Sequence, residues 1–209
     1  METKNSAKKP KIKICGLFRE EDISFVNEAK PDYIGFVFAP SRRQVSPEEA
    51  RRLREKLKDE ITSVGVFVNQ PIDEILALYR ARVIRMIQLH GKEDEAYITA
   101  LKDQCPAPII KAFRADALRD LKGLHTQADF TLFDNGSGGT GQTFDWSLLP
   151  AAWDTPPWFL AGGINLGTID HALRLKPYCI DVSTGAETNG IKDRQKILAL
   201  VQRVRSLQE

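Results

Sequence analysis

A short apolar run occurs eight times along this chain, and most runs are followed by residues with apolar side chains at helical spacing. The runs are near-continuous rather than alternating, which indicates strands buried on both faces. The predicted strands are 11–15, 33–38, 64–68, 85–89, 108–112, 130–133, 158–161 and 179–182. Strands of this kind, alternating with helices, form a parallel sheet covered by helices.

Eight such units are the number that closes a (β/α)8 barrel, or TIM barrel. An open doubly wound sheet is the alternative, but it needs a phosphate-binding glycine fingerprint after the first strand, and Cys15-Gly16-Leu17-Phe18 is not one. No linker interrupts the 209 residues. We therefore predict one α/β catalytic domain, a barrel over residues 11–209, after a polar, disordered leader over residues 1–10.

The predicted helices are marked by apolar periodicity and by capping residues. The clearest start is Ser46-Pro47-Glu48-Glu49, with serine as N-cap, proline in the first turn and acidic residues after it. The predicted helices are 20–29, 47–57, 71–79, 93–104, 116–124, 166–175 and 192–207, with a short or irregular helix at 144–149.

Composition excludes several classes of partner. Lys and Arg number 30 against 28 Asp and Glu, so no field of one sign favours nucleic acid or an anionic membrane. No apolar run approaches the length of a membrane span. The odd number of widely spaced cysteines, Cys15, Cys105 and Cys179, fits neither a disulfide framework nor a zinc site. We predict a cytoplasmic protein without nucleic-acid or membrane partners and without a metal.

The sixth strand ends at Asp134 and opens into a loop with four glycines, at positions 136, 138, 139 and 141. Without Cβ atoms, such a loop lets backbone amides approach a phosphate closely. A flexible hairpin with a solvated aspartate is the alternative for this loop alone. Other strands also end in polar or glycine-rich residues, which favours a common site.

In a barrel, the loops after the strands converge on one rim, and that rim carries the chemistry. The strand ends place Cys15, Arg43, Asn69, His90, Asp134, Gly162, Gly163 and residues 181–185 there. Phosphate in barrel enzymes sits between the loops after strands seven and eight, so Gly162, Gly163, Ser183 and Gly185 are candidate phosphate ligands.

Cys15 and Asp134 are the candidate titrating pair at this rim. A thiol needs a lowered pKa to serve as a base near neutrality, and a carboxyl group must hold a proton to serve as an acid. His90 is a candidate ligand or base, or else a hydrogen-bonded packing residue. Cys179 begins a strand, which places it at the opposite end of the barrel.

Taken together, seven segments resemble the phosphoribosylanthranilate isomerase family of tryptophan biosynthesis. The matching segments are 13–16, 35–38 with 41–43 and 46–47, 64–69, 88–91, 138–141 with 143–146, 161–163 and 181–185. The resemblance implies a TIM barrel that performs an Amadori rearrangement on a phosphosugar, without metal or organic cofactor. Phe18, Gln44 and Ala161 stand where the family usually has threonine, an aromatic residue and serine.

The resemblance also implies roles for individual residues. Cys15 is the implied general base and Asp134 the implied general acid, while Arg43 meets the anthranilate carboxylate, with Arg42 as the competing candidate. The implied phosphate ligands are Gly139, Gly162, Gly163, Ser183 and Gly185, and the residues implied to line or support the site are His90 and Asp181.

Three rival functions stay open. The related ring-opening isomerase of histidine synthesis needs an aspartate at the position of Cys15. A lyase such as indole-glycerol-phosphate synthase needs a catalytic lysine, for which Lys111 is the nearest candidate. A non-catalytic phosphosugar-binding barrel would keep the phosphate site alone. Both a monomer and a homodimer are compatible with the fold.

Overall fold

The computed structural model describes residues 10–114, 125–134, 146 and 157–206. Eight parallel strands form a closed barrel in chain order, and the eighth pairs with the first. The strands are β1 (Lys11–Cys15), β2 (Tyr33–Val37), β3 (Thr62–Phe67), β4 (Met86–Leu89), β5 (Ile109–Arg114), β6 (Phe130–Asp134), β7 (Trp158–Leu160) and β8 (Cys179–Val182). The predicted barrel is confirmed, while the single-domain boundary and the leader stay predictions, with residues 1–9 outside the described range.

Six α-helices lie within the described residues. They are α1 (Glu20–Ala29), α2 (Pro47–Lys56), α3 (Ile72–Arg80), α4 (Glu95–Lys102), α5 (Ile169–Arg174) and α6 (Arg194–Ser206). The helix predicted at 116–124 falls outside the described residues, as does the one at 144–149 apart from Trp146. No helix in the described part of the chain is long and apolar enough to cross a membrane.

α5 begins later than the predicted start at residue 166. A turn takes the preceding residues, because the Asn165 side chain accepts a hydrogen bond from the Gly167 amide at 2.8 Å. The Thr168 hydroxyl accepts one from the Asn165 amide at 3.0 Å. Such local bonds from short polar side chains compete with helix formation.

Alternate side chains of each strand face opposite sides of the sheet, and this produces two cores. Ile12, Ile14 and Ile34 belong to the larger core between the strands and the helices. The lower interior of the barrel is a second apolar cluster, made of Tyr33, Val64, Met86, Ile110, Ala112, Leu132, Phe159, Ala161 and Cys179. Above it, the interior side chains become polar.

A two-stranded hairpin, β9 (Glu187–Thr188) with β10 (Ile191–Lys192), follows β8 and was not predicted. Asn189 and Gly190 join its strands with φ values of 53° and 82°. Two positive φ values in a two-residue loop are the signature of a type I′ turn, for which Asn-Gly is the preferred sequence. The dipeptide was therefore a readable signal for this hairpin.

Replacing Ser46 by alanine should lower the free energy of unfolding by about 1 kcal/mol, the usual cost of an N-cap. The Ser46 hydroxyl accepts from the Glu49 amide at 3.2 Å, and the Glu49 carboxylate accepts from the Ser46 amide at 2.7 Å. Urea unfolding measures the change. Ser24→Ala, at an exposed position of α1, is the matched control and should be neutral or slightly stabilising; equal losses in both variants would contradict the capping role.

Candidate active site

A cavity of about 240 Å³ opens at the carboxyl ends of the strands. Its lining includes eight of the predicted site residues, namely Cys15, Arg43, His90, Asp134, Gly162, Gly163, Asp181 and Ser183. Gly185 lines an adjoining cavity, which shares Gly163, Ile164 and Thr184 with the first. Gly139 lies outside the described residues. The strand ends therefore bring these predicted side chains to one place.

The Cys15 thiol lies at the end of β1 against Gly35 of β2. A Cβ atom on Gly35 would come 2.6 Å from Cys15 Sγ, so only glycine leaves room for the thiol. Burial raises the pKa of Cys15, while the charges of Lys13 and Lys192 act to lower it and that of Asp181 adds to the increase. The net direction is upward, so the site does not lower the pKa of this thiol as a base would require.

Below Cys15, the wholly buried ammonium of Lys13 forms an ion pair with Asp181. Lys13 Nζ donates to Asp181 Oδ2 and to Gln88 Oε1, each at 2.8 Å. Burial alone would lower the pKa of Lys13, but the Asp181 carboxylate outweighs it, so the pKa is raised and the lysine is charged. Asp181 Oδ1 is buried and has no hydrogen-bond partner among the described residues.

His90 connects this lower layer to Asp134. His90 Nε2 lies 3.4 Å from Asp134 Oδ2, and His90 Nδ1 lies 3.0 Å from Gln88 Nε2. His90 and Gln88 are two residues apart on one strand and its extension, so both point into the barrel.

Three cationic side chains donate hydrogen bonds to the buried carboxylate of Glu187. Arg43 donates from Nε at 2.6 Å and from Nη2 at 3.1 Å, Arg42 from Nη2 at 2.5 Å, and Lys192 from Nζ at 2.7 Å. Burial by itself would raise the pKa of Glu187, but the hydrogen bonds and charges of Arg43 and Lys192 lower it to about 2. Lys192 also donates to the Ser183 carbonyl at 3.0 Å. The cluster carries excess positive charge beside the cavity.

The loops after β7 and β8 pack directly on each other. A Cβ on Gly185 would lie 1.9 Å from the Ile164 carbonyl oxygen, so only glycine permits this approach. Gly162 and Gly163 have φ values of 84° and 68°, which glycine adopts without strain. The contact brings the predicted phosphate ligands of the two loops together.

Comparison with known proteins agrees with this geometry. The family model of N-(5′-phosphoribosyl)anthranilate isomerase matches residues 12–203. The N-(5′-phosphoribosyl)anthranilate isomerase of Endomicrobium trichonymphae is 52% identical over 204 residues, which cover 95% of this chain and 100% of that protein. The chain belongs to the N-(5′-phosphoribosyl)anthranilate isomerase family. The family predicted by the sequence motifs is thereby confirmed.

Two solved structures of phosphoribosylanthranilate isomerases share this architecture. One holds reduced 1-(o-carboxyphenylamino)-1-deoxyribulose 5-phosphate and is 32% identical, with a TM-score of 0.79 and coverage of 94% of this chain and 99% of its own. The other contains monomers of the dimeric Thermotoga maritima enzyme and has the same identity, TM-score and coverage.

Two of the three residues that depart from the family pattern, Ala161 and Gln44, differ in whether they line the cavity of this isomerase-family chain. Ala161 lines the cavity, where it offers no hydroxyl group. Gln44 lies outside the cavity, and its amide donates to the Phe38 carbonyl at 3.0 Å. Only the alanine can therefore change contacts inside the cavity.

Four polar residues of the site region were missed by sequence reasoning, namely Lys13, Gln88, Glu187 and Lys192. Lys13 is two residues from Cys15, and Gln88 is two residues from His90, so each pair points to the same face of the sheet. This alternation was a usable signal that Lys13 and Gln88 face the barrel interior. The Asn-Gly turn was the signal for the hairpin that carries Glu187 and Lys192. The described residues contain no group of three or more metal-ligating side chains, and the absence of a cofactor stays a prediction.

Glu187→Gln should weaken the fold at neutral pH and flatten its acid denaturation. Because the pKa of Glu187 falls from 4.5 to about 2 on folding, its ionised form adds about 3 kcal/mol above pH 4.5. That stabilisation is lost as pH falls from 4.5 to 2. Urea unfolding across pH 2–7 measures both effects.

The matched control is Glu60→Gln, at an exposed position. It should follow the wild-type pH dependence within about 0.5 kcal/mol, the usual range for surface substitutions. If the free energy of unfolding of Glu187→Gln fell with pH as that of the wild type does, Glu187 would not be the source of the acid sensitivity.

Proposed function

We propose that this chain is a phosphoribosylanthranilate isomerase of tryptophan biosynthesis, which converts N-(5-phosphoribosyl)anthranilate to 1-(2-carboxyphenylamino)-1-deoxyribulose 5-phosphate. The observation that carries the proposal is the presence of Cys15 and Asp134 on the walls of one cavity, next to paired glycine loops and an arginine. Membership of the isomerase family supports the same reaction.

In the first step, Asp134 donates a proton to the furanose ring oxygen. The bond between that oxygen and C1′ breaks, and the electron pair of the anilino nitrogen forms a C1′=N iminium. Asp134 becomes a carboxylate, which His90 Nε2 faces at 3.4 Å. General acid catalysis of this kind requires a protonated carboxyl group at the start of the cycle.

In the second step, the Cys15 thiolate removes the proton from C2′, the C2′–H electrons form the C1′=C2′ bond of an enolamine, and the π electrons of the C1′=N bond return to nitrogen. Transfer of a proton to C1′, with loss of the proton from the C2′ hydroxyl, then yields the ketone. Because burial raises the pKa of Cys15, the thiolate depends on the charges of Lys13 and Lys192. The rate should therefore increase with pH toward the alkaline side.

The carboxylate and the phosphate of the substrate each have proposed binding partners on the rim. Arg43 lines the cavity and is the proposed partner of the anthranilate carboxylate, whereas half-exposed Arg42 does not line it. The proposed phosphate ligands are the backbone amides of Gly162, Gly163, Ser183 and Gly185, with Gly139 as a predicted further ligand. Asp181 lines the cavity, and its Oδ1, which has no hydrogen-bond partner among the described residues, is the proposed acceptor for a sugar hydroxyl.

The rival enzymes are less well supported. Cys15 occupies the strand end where the histidine-pathway isomerase needs an aspartate. Lys111, the nearest candidate for a lyase, donates to Glu93 and to the Gly91 carbonyl, each at 2.8 Å, and does not line the cavity.

The reaction as proposed needs no cofactor, because Asp134 supplies the proton to the ring oxygen and Cys15 removes the proton from C2′. We also propose a cytoplasmic location, which is supported by three free, buried cysteines. The subunit state is proposed as monomer or homodimer, since one solved relative structure is of monomers generated from a dimeric enzyme.

Cys15→Ser and Asp134→Asn should each lower kcat by about 100- to 10,000-fold, the usual contribution of a general acid or base. Fluorescence of the anthranilate group follows turnover, and circular dichroism checks the fold. Cys179→Ala removes a buried thiol at the other end of the same barrel and should leave kcat within about threefold. A wild-type rate in either site variant would remove that residue from its role, and absence of turnover in the wild-type protein would favour a non-catalytic binding barrel.

Arg43→Met should raise KM for the substrate by about 10- to 100-fold with a smaller change in kcat, as expected for the loss of a charged hydrogen bond. Arg42→Met is the matched control, because it also loses a contact with Glu187, and its KM should change by less than about threefold. The reverse ranking of the two KM values would assign the carboxylate to Arg42.

A further inference from the structure

A series of contacts runs across the barrel beneath the cavity. Asp181, Lys13, Gln88, His90 and Asp134 are joined in that order, with three distances of 2.8 to 3.0 Å and a final one of 3.4 Å. Its members come from β1, β4, β6 and β8, together with the residue after β4. One end of the series lies next to Cys15, and the other end is Asp134 itself.

The chemistry of each group fixes the direction of the hydrogen bonds. An ammonium has three donors and no acceptor, so the Gln88 oxygen must face Lys13. The Gln88 NH2 group therefore faces His90 and donates to Nδ1. A neutral imidazole that accepts at Nδ1 carries its proton on Nε2, and that proton points toward Asp134. A single ammonium thus determines the tautomer of a histidine two contacts away.

We propose that Lys13 and Gln88 are positioning residues of the isomerase reaction, which hold the groups beside Cys15 and Asp134 in the arrangement that both proton transfers need. Lys13 stabilises the Cys15 thiolate, and Gln88 presents the His90 Nε2–H to the carboxylate that Asp134 becomes. This inference rests on the proposed function. Lys13 and Gln88 lie in segments that match the family, next to Cys15 and His90, but neither residue was assigned a role from the sequence.

The location of Lys13 argues against a role in stability alone. The lysine is 0% exposed, and the barrel interior below it is an apolar cluster. Breaking a buried ion pair is costly, but replacing the whole pair by apolar side chains is often neutral or stabilising. A barrel core without chemistry could therefore dispense with Lys13 and Asp181. In addition, Asp181 lines the cavity, and its buried Oδ1 has no hydrogen-bond partner among the described residues.

Lys111 offers an internal contrast. It is also a buried barrel lysine, and it pairs with Glu93 at 2.8 Å. Glu93 in turn accepts from the backbone amides of Asn69 and Gly91, at 2.7 and 2.9 Å, so this pair fixes loops. Lys111 does not line the cavity.

Several charged groups lie near Cys15 and have to be considered when the titration of its thiol is measured. Lys13 lies on β1, Asp181 on β8 and Lys192 on β10, and all three act on the thiol. Arg43, from the segment after β2, lies against Gly16, the next residue along the chain. Lys13→Met removes one of these charges and leaves the other three in place.

The first test measures alkylation of Cys15 by iodoacetamide as a function of pH, with mass spectrometry of the Cys15 peptide, in wild type, Lys13→Met and Lys111→Met. We expect Lys13→Met to raise the pH midpoint by about one unit or more, because a favourable charge is lost. We also expect kcat to fall at least about tenfold, with a smaller change in KM. Lys111→Met should leave the midpoint in place. Equal midpoints in wild type and Lys13→Met would overturn the proposal for Lys13.

The second test uses Gln88→Glu, which remains informative if Lys13→Met does not fold. A carboxylate can accept from Lys13 but cannot donate to His90, so the imidazole should take up a proton at Nδ1. Nitrogen-15 NMR of His90 should then report a protonated ring to a higher pH than in wild type. Gln88→Met lacks both polar atoms of the amide, so His90 should lose its preference for the Nε2–H tautomer. Its ring should not stay protonated to a higher pH than in wild type. An unchanged His90 spectrum in both variants would overturn the proposal for Gln88.

These measurements test the proposed isomerase function and the positioning roles of Lys13 and Gln88 separately. Absence of isomerase turnover in the wild-type protein would contradict the proposed function and, with it, the catalytic meaning of the contacts. Normal wild-type turnover with unchanged Cys15 midpoint and His90 tautomer in the variants would contradict only the further inference.

Discussion

β8 pairs with β1 in parallel, with Lys13 opposite Asp181, and this pairing closes the sheet into a ring. Closure forces alternate side chains of every strand into one confined interior, and the parallel direction brings all carboxyl ends to the same rim. Residues far apart in sequence, such as Cys15 and Asp181, therefore share one small space. The cavity and its chemistry depend on that closure.

Within this space, burial and charge act against each other on the Cys15 thiol. Desolvation favours the neutral thiol, whereas the ammonium groups of Lys13 and Lys192 favour the thiolate. Asp181 partly cancels the first of these ammoniums, and Glu187 partly cancels the second. The site thus holds its cations in place with carboxylates, at the cost of weakening their effect on the thiol. A substrate with two anionic groups enters a region where positive charge exceeds negative charge.

The fold and the rim of the site were accessible from the sequence because both follow from local rules. Continuous apolar runs marked the strands, and the position of Cys15, His90 and Asp134 at strand ends placed them together. The hydrogen-bond series through Lys13 and Gln88 was not predicted, because strand parity shows which way a side chain points but not which partner it meets across the barrel. Glu187 was missed for a similar reason, since two of its three partners, Arg42 and Arg43, lie 145 and 144 residues earlier in the chain.

The central claim is that Cys15 and Asp134 act on the same sugar from two sides of one cavity. A crystal structure of this protein with a reduced, non-reacting analogue of the product tests it most directly. The account predicts Cys15 Sγ within about 4 Å of C2′ and an Asp134 carboxyl oxygen at hydrogen-bond distance, about 3 Å, from the oxygen on C4′. A bound analogue whose sugar contacts only one of the two side chains, or neither, would contradict the account.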